Sequence, residues 1–456
     1  MTLPKHWERS NVGQIATILR GVSYPKNSAT NIPGENSVLI LRGGNIQDGK
    51  IVVDADRVYV PNSFIDQSQY LKKGDVIIVA STGSKALIGK AAISLRDEPY
   101  IAFGAFLMLL RPSNVVDGAF FGYFFLTDEY RFNIRRLSAG ININNIRRDH
   151  ISGMRIPIPP LPEQKLIAAK LDKLFGHLDR IRERLDKIPA LLKQFRQAVL
   201  TQAVTGKLTE EWRKRKKLSP TSQFLDASGS NSRTEPPFEI DSWCWKPIAS
   251  LAKIISGYAF KSSEFQSQGY PLIRMGNLFR DRLDLTKNPV FISSDCPSSI
   301  IGRYSVKDGD VLLTLTGTKY KRDYGYSVII ENCGSPILLN QRIVAMRPVI
   351  NGKYLLYLTR SDIFRDQFFS LETGGVNQGN VSVSGLASIL LPIPTLEEQT
   401  EIVRRVEALL RIADQIEERY ETIRNRINQL PQAILNKAFR GELLKGWLAT
   451  YEAALN

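Results

Sequence analysis

A chain of 456 residues, 43% hydrophobic and 23% charged, has the length for two or three domains with cores of their own and the composition of a folded rather than a disordered polypeptide. Its 61 Lys and Arg against 45 Asp and Glu leave a formal net charge of +16, which favours a polyanionic partner through counterion release. Three dispersed cysteines argue against a disulfide framework, MTLPKHWERS lacks a signal-peptide pattern, and the longest apolar run (100–110) is too short to span a bilayer, so a reducing cytoplasmic setting without a membrane partner is expected.

Residues 1–156 show short apolar runs, VLIL at 38–41 and VIIVA at 76–80, broken by Gly, Asn and Pro, and predict the strands of a mixed domain. The loops RGGN (42–45), STGSK (81–85) and NINNIRR (142–148) combine pliable backbone with hydrogen-bond donors. PIPPLPEQ at 157–164 then opens a helical segment, 157–212. Its prolines are expected to stop the preceding strand, and Pro162 fits a first helical turn. Ile167, Leu171, Leu174, Leu178, Ile181 and Leu185 follow at 4,3,4,3 spacing, a coiled-coil seam, with Pro189 predicted to interrupt the helix and Gly206 to end it. Residues 213–236, polar and rich in Ser, read as a linker.

The same order then repeats. Residues 237–391 predict a second mixed domain, with VLLTL at 311–315 and the loops RMGN (274–277), TGTKYKR (316–322) and GGVNQGN (374–380). PIPTLEEQ at 392–399 opens a second helix, 392–447, in which Thr395 and Glu398 fit a capping box. Its seam is Ile402, Val406, Leu409, Ile416, Tyr420 and Ile423, its predicted kink Pro431 and its stop Gly441, before a short tail, 448–456. Aligned at an offset of 235 (392 − 157), the two helical segments share 21 of 56 residues. Trp7 and Trp243, Gly74-Asp75-Val76 and Gly309-Asp310-Val311, and the Thr-Gly pairs 82–83 and 316–317 extend the match across the chain.

The fold class expected is therefore α+β: a tandem pseudo-twofold repeat of two mixed α/β domains separated by two long antiparallel coiled-coil helices. About 40 helical residues at ~1.5 Å each make a rod of roughly 60 Å. A duplex shares the twofold symmetry, so each domain could read one half of a split site.

Catalytic and metal-binding patterns do not assemble. GSKALIGK at 83–90 has five residues between its glycines where a phosphate loop needs four, and Ala91 follows Lys90. NPVF at 288–291 only partly echoes an amino-methyltransferase motif, and His6, His150 and His177 lack metal-ligand spacing. DNA-contact chemistry is better represented. Arg42, Asn45, Thr82, Ser84, Lys85 and Lys90 in the first copy are candidates to contact phosphates and base edges. Arg274, Asn277, Thr316, Thr318, Lys319, Lys321 and Arg322 are their counterparts in the second. The Asn-rich loops at 142 and 377 are expected to support the turn into each helix instead.

PIPPLPEQ and PIPTLEEQ, the helix ends RQAVLTQAVTGKLTEEW and PQAILNKAFRGELLKGW, and the Gly-Asp-Val and SAGININNI phrases together resemble the specificity subunits of type I restriction-modification systems, over essentially all of 1–447. The resemblance implies two target recognition domains for a bipartite asymmetric site in double-stranded DNA. It also implies helices that set the gap and dock two modification subunits, with restriction subunits joining. S-adenosylmethionine, ATP and Mg would then belong to those partners, with no cofactor in this chain. A coiled-coil scaffold without DNA contact and a fused methyltransferase-specificity enzyme are the alternatives.

Overall fold

The computed structural model describes residues 3–137, 144–216, 237–279, 281–375 and 377–444. Most of SAGININNI, the linker from 217 to 236, Trp447 and the tail lie outside the described residues. The remainder divides into two compact units, one within 1–186 and 421–456, the other within 187–420. Each unit holds one mixed domain, the first part of the helix that follows it, and the last part of the helix from the other copy.

In the first unit, strands Ala16–Arg20, Leu107–Pro112, Val76–Val79 and Ala91–Ile93 form, in that order, an antiparallel four-stranded sheet. The second unit repeats it with Ala252–Ser256, Ile343–Pro348, Val311–Thr314 and Ser327–Ile329. Val76–Val79 and Val311–Thr314 are buried along their whole length, because helices cover one face and a smaller strand cluster the other. The Gly-Asp-Val phrase explains the entry to these strands. Asp75 is fully buried, takes Arg111 Nε and Nη2 at 2.9 and 2.7 Å, and caps the Lys72 N–H at 2.7 Å. Asp310 does the same with Arg347 at 2.9 and 2.8 Å and Lys307 N–H at 2.8 Å.

The helices are α1 (Leu161–Leu185), α2 (Ile188–Val204) and α3 (Leu396–Phe439). Their pairing is antiparallel within each unit. In the first, Ile167, Ala168 and Leu171 share a core with Leu435, Ala438 and Phe439, while Arg182 and Leu185 line one cleft with Arg424 and Ile427. In the second, Val199–Val204 pack with Ile402, Val403 and Val406, and Arg196 Nη2 reaches Asp414 at 2.6 Å and Glu417 at 2.8 Å.

The seam is not continuously buried. Ile167, Leu171, Leu178, Ile402, Val406 and Tyr420 are buried, and Leu174, Leu185 and Leu409 half-buried. Ile181, Ile416 and Ile423 are 42%, 43% and 44% exposed. A 3.5-residue stripe drifts on a helix of 3.6 residues per turn, and two helices alone close only a narrow seam. Ile167 and Leu171 also belong to the core of the first mixed domain, and Ile402 and Val406 to that of the second.

Pro189 begins α2, where its missing N–H costs nothing, so the first rod is broken at 186–187. Pro431, expected to kink or interrupt the helix, does not interrupt it: it lies inside the continuous 44-residue α3, where Ile427, Leu435 and Phe439 anchor the turns on either side. Glu210–Lys216 continues as a helical turn, so the linker starts later than 213. Gly206 and Gly441 end the rods at φ +70° and +71°. A Cβ at Gly206 would stand 2.5 Å from Ile240 Cδ1, and at Gly441 2.3 Å from Pro4 Cγ. Gly206→Ala or Gly441→Ala should each cost about 2–3 kcal/mol in urea unfolding, from left-handed strain plus overpacking; a shift below about 0.5 kcal/mol contradicts this role.

The duplicated proline phrase is a latch. Pro157 and Pro392 sit inside strands Arg155–Ile158 and Leu390–Ile393, paired antiparallel with Glu8–Asn11 and Cys244–Pro247, so they do not stop those strands; two-stranded pairs tolerate the missing donor. Glu163 then accepts from Trp7 Nε1 at 3.2 Å and contacts His6 Nε2 at 2.9 Å. Glu398 accepts from Trp243 Nε1 at 3.0 Å, Thr209 Oγ1 at 2.7 Å and Arg213 Nη1 at 2.5 Å. Only half of the expected capping box forms, since Thr395 Oγ1 accepts from Glu398 N–H at 3.3 Å while the glutamate side chain turns to these partners. Gln164 and Gln399 accept from the backbone N–H of Asp117 (2.8 Å) and Asn351 (3.0 Å), the residues that cap the first helix of each mixed domain's helical layer.

Candidate nucleic-acid interface

Each central strand emerges into a short second strand that carries the Thr-Gly loop. Ser81–Thr82 pairs with Asn144–Asn145, and Thr316–Thr318 with Gln378–Asn380. The Asn-rich segments therefore flank the Thr-Gly loops directly, a neighbourhood that their distance in sequence hides.

The first loop folds back through Leu87 and Ile88 N–H donating to Ser84 O at 3.1 and 3.2 Å. Arg131, from helix Asp128–Leu137, clamps it by donating to Ile88 O at 2.8 Å and Ala86 O at 2.9 Å. Burial, then the neighbouring Arg135 charge, lowers the Arg131 pKa; the guanidinium remains a cation facing carbonyl oxygens. Gly89 closes the loop at φ +70°, where a Cβ would strike Ile134 at 2.5 Å. Lys85 is exposed, Thr82 and Ser84 half-buried, and Lys90 half-buried at the loop's exit. Thr82 Oγ1 is used internally, accepting from Ser84 N–H at 3.2 Å.

The second loop is longer by two residues, with seven residues between Gly317 and Gly325 against five between Gly83 and Gly89. Asp323 braces it, accepting from Thr318 N–H at 2.6 Å and Thr318 Oγ1 at 3.1 Å. Arg365 occupies the position of Arg131 and donates to Gly325 O at 3.2 Å. Tyr324 is buried beneath the hairpin and bonded to Glu372; burial and that carboxylate push its phenol pKa up. A Cβ at Gly317 would meet the Tyr324 ring at 2.7 Å, which accounts for the glycine. Lys321 and Arg322 are exposed and Lys319 half-buried, with Arg322 at φ +46° and its guanidinium 5.0 Å from the Phe369 ring centre.

The two Gly-Asn motifs take a different place from the expected one. Asn45 and Asn277 are buried, 0% and 4% exposed. Asn45 Oδ1 accepts from Arg42 N–H at 2.8 Å and its Nδ2 donates to Val52 O and Asp56 O at 2.9 and 3.1 Å. Asn277 repeats this with Arg274 N–H, Asp284 O and Lys287 O at 2.9, 3.0 and 2.9 Å. With donors and acceptor committed, neither asparagine presents an edge to a base; both hold a tight turn. Arg42 pairs with Asp56 at 3.3 Å, and Arg274 Nη2 donates to Asn288 O at 3.0 Å while lying over the Phe265 ring. Thr316 is also buried, its Oγ1 3.4 Å from Met275 Sδ, which sets the second Gly-Asn turn against the strand Thr316–Thr318.

A further loop joins each site unannounced by its sequence. Phe106 O accepts from Ala80 and Ser81 N–H at 2.9 and 3.1 Å, and in the second copy Arg342 O accepts from Leu315 N–H at 3.1 Å. The two are equivalent at an offset of 236 (342 − 106), and both are exposed. The difference in side chain at equal backbone is the signal that aligning the copies offers. Among the described residues no group of three His, Cys, Asp or Glu is placed to hold a metal ion, and no helix is long and apolar enough to cross a membrane.

Known proteins share this architecture. A solved chain of a type I R-M system superposes with a TM-score of 0.65 at 18% identity, covering 97% of this chain and 100% of that one. The HsdS subunit from Thermoanaerobacter tengcongensis gives 0.60 at 19% identity, covering 97% and 99%. In sequence, the EcoKI specificity subunit of Escherichia coli is 34% identical over 460 residues, 98% of this chain and 91% of the relative. The StySPI specificity subunit of Salmonella potsdam is 32% identical over 450 residues, with the same coverage. The family model for the type I restriction modification DNA specificity domain matches twice, over 4–190 and 241–428. The chain, with two such domains in tandem, belongs to the type I restriction-modification DNA specificity family.

Proposed function

We propose that this chain targets a type I restriction-modification complex to a bipartite site in double-stranded DNA, each mixed domain contacting one half. The observation that carries this reading is the pair of Thr-Gly hairpins: one scaffold, built by equivalent hydrogen bonds, with different tips, Lys85 in one copy and Lys319, Lys321 and Arg322 in the other. Equal scaffolds with unequal tips suit two different half-sites. The chain would bring no chemistry of its own; S-adenosylmethionine, ATP and Mg would be held by modification and restriction subunits. The apolar residues left exposed on the helices, Ile181 and Ile423 in the first unit and Leu191, Ile412 and Ile416 in the second, suit docking of two modification subunits.

A footprint of the complex with the modification subunit should show two protected tracts separated by an unprotected gap; a single tract, or none, contradicts the reading. The helices would set that gap. Adding one heptad to both rods, about 10.5 Å, should lengthen the preferred gap by about three base pairs without changing either half-site; binding selection on a gap library checks it, and an unchanged gap removes the helices from this role.

A further inference from the structure

We propose that each recognition face meets its half-site with one exposed aromatic ring, Phe106 in the first copy and Tyr320 in the second, making an apolar contact with a base pair. The inference rests on the DNA-reading role proposed above. Phe106 is 69% and Tyr320 80% exposed. Single exposed hydrophobic residues are ordinary on protein surfaces; placement sets these two apart. The Phe106 carbonyl is bonded to Ala80 and Ser81, so its backbone is fixed to the recognition strand. Tyr100, 74% exposed in the same domain, precedes the strand Ile101–Phe103, whereas Phe106 follows it.

The second copy has Arg342 where the first has Phe106, and supplies its ring from the two-residue extension of the Thr-Gly loop. Tyr320 stands there between Lys319 and Lys321, with Arg322 next. Lys321 and Arg322 N–H donate to Thr318 O at 3.2 and 3.1 Å, and Asp323 holds Thr318, so the tip is shaped before it meets a ligand. A preorganised ring loses little freedom on binding. Lysines and arginine around an aromatic suit a duplex, phosphates taking the charges while the ring meets a thymine methyl or an opened base step. Both faces thus carry ring and cations, with the ring on different loops.

The test uses the complex with modification subunits and duplexes carrying the mapped target, with one half-site scrambled at a time. Phe106→Ala should weaken binding about 5- to 30-fold through the first half-site only, and Tyr320→Ala equally through the second, both with an unchanged salt slope because no charge is removed. Tyr320→Phe should bind as the parent does. Retained discrimination of the other half-site shows that each variant is folded. Either alanine variant binding its own half-site as tightly as the parent overturns the proposal, as does a loss spread over both half-sites. If Lys85→Ala and Lys319→Ala are also silent and no split footprint forms, the DNA-reading role itself fails; silent aromatic variants with an intact footprint sink only the aromatic contacts.

Discussion

Replacing Glu398 by alanine is expected to destabilise the second unit by about 3–5 kcal/mol, the range for breaking a buried ion pair from one side. The carboxylate is 0% exposed and is the shared acceptor for Trp243, Thr209 and Arg213. Its loss strands an indole N–H and a hydroxyl and leaves the Arg213 side chain, 15% exposed, without its counter-charge. Glu163→Ala should cost less, about 1–3 kcal/mol, because its partner His6 is 51% exposed and can turn to water. Urea unfolding followed by tryptophan fluorescence compares the two variants. Equal losses would show that Arg213 does not set the difference between the joints.

Neutralising the second hairpin by Lys319→Ala, Lys321→Ala and Arg322→Ala together should lower the affinity of the complex for its target about 10- to 100-fold near ~0.15 M salt. The slope of log affinity against log salt should become shallower by about 2–3, close to one for each phosphate that no longer meets a cation. Lys85→Ala, one charge on the first hairpin, should change the slope by about 1. An unchanged slope in the triple variant would mean that these cations do not face phosphates.

What the sequence made legible follows from which forces leave a periodic trace. The apolar repeat revealed the helices and, through their matching seams, that they pair; the antiparallel sense followed from the tandem order of domain and helix. The same repeat could not show that Ile181, Ile416 and Ile423 stay exposed, since burial there depends on whether a third element packs on the pair. The Thr-Gly loops were legible as equivalent loops because the copies align, and Lys85, Lys321 and Arg322 are exposed on them. Asn45 and Asn277 illustrate the limit: an Arg-x-x-Asn turn looks the same whether its amide faces solvent or its own carbonyls. Phe106 and Arg342 come to the site only through strand-end hydrogen bonds to Ala80, Ser81 and Leu315, a long-range pairing without local pattern. The proline phrase was legible as a joint, while the purpose of its Glu-Gln needed the distant Trp7 and Trp243.

Mapping adenine methylation genome-wide in cells carrying the modification subunit, with and without this chain, tests the central claim most directly. The expected result is a methylated motif of two short half-sites at a fixed gap, present only with this chain, in which replacing the first Thr-Gly hairpin alone by the second changes the first half and leaves the other intact. Methylation at the same motif without this chain, or a single uninterrupted motif, would contradict the account.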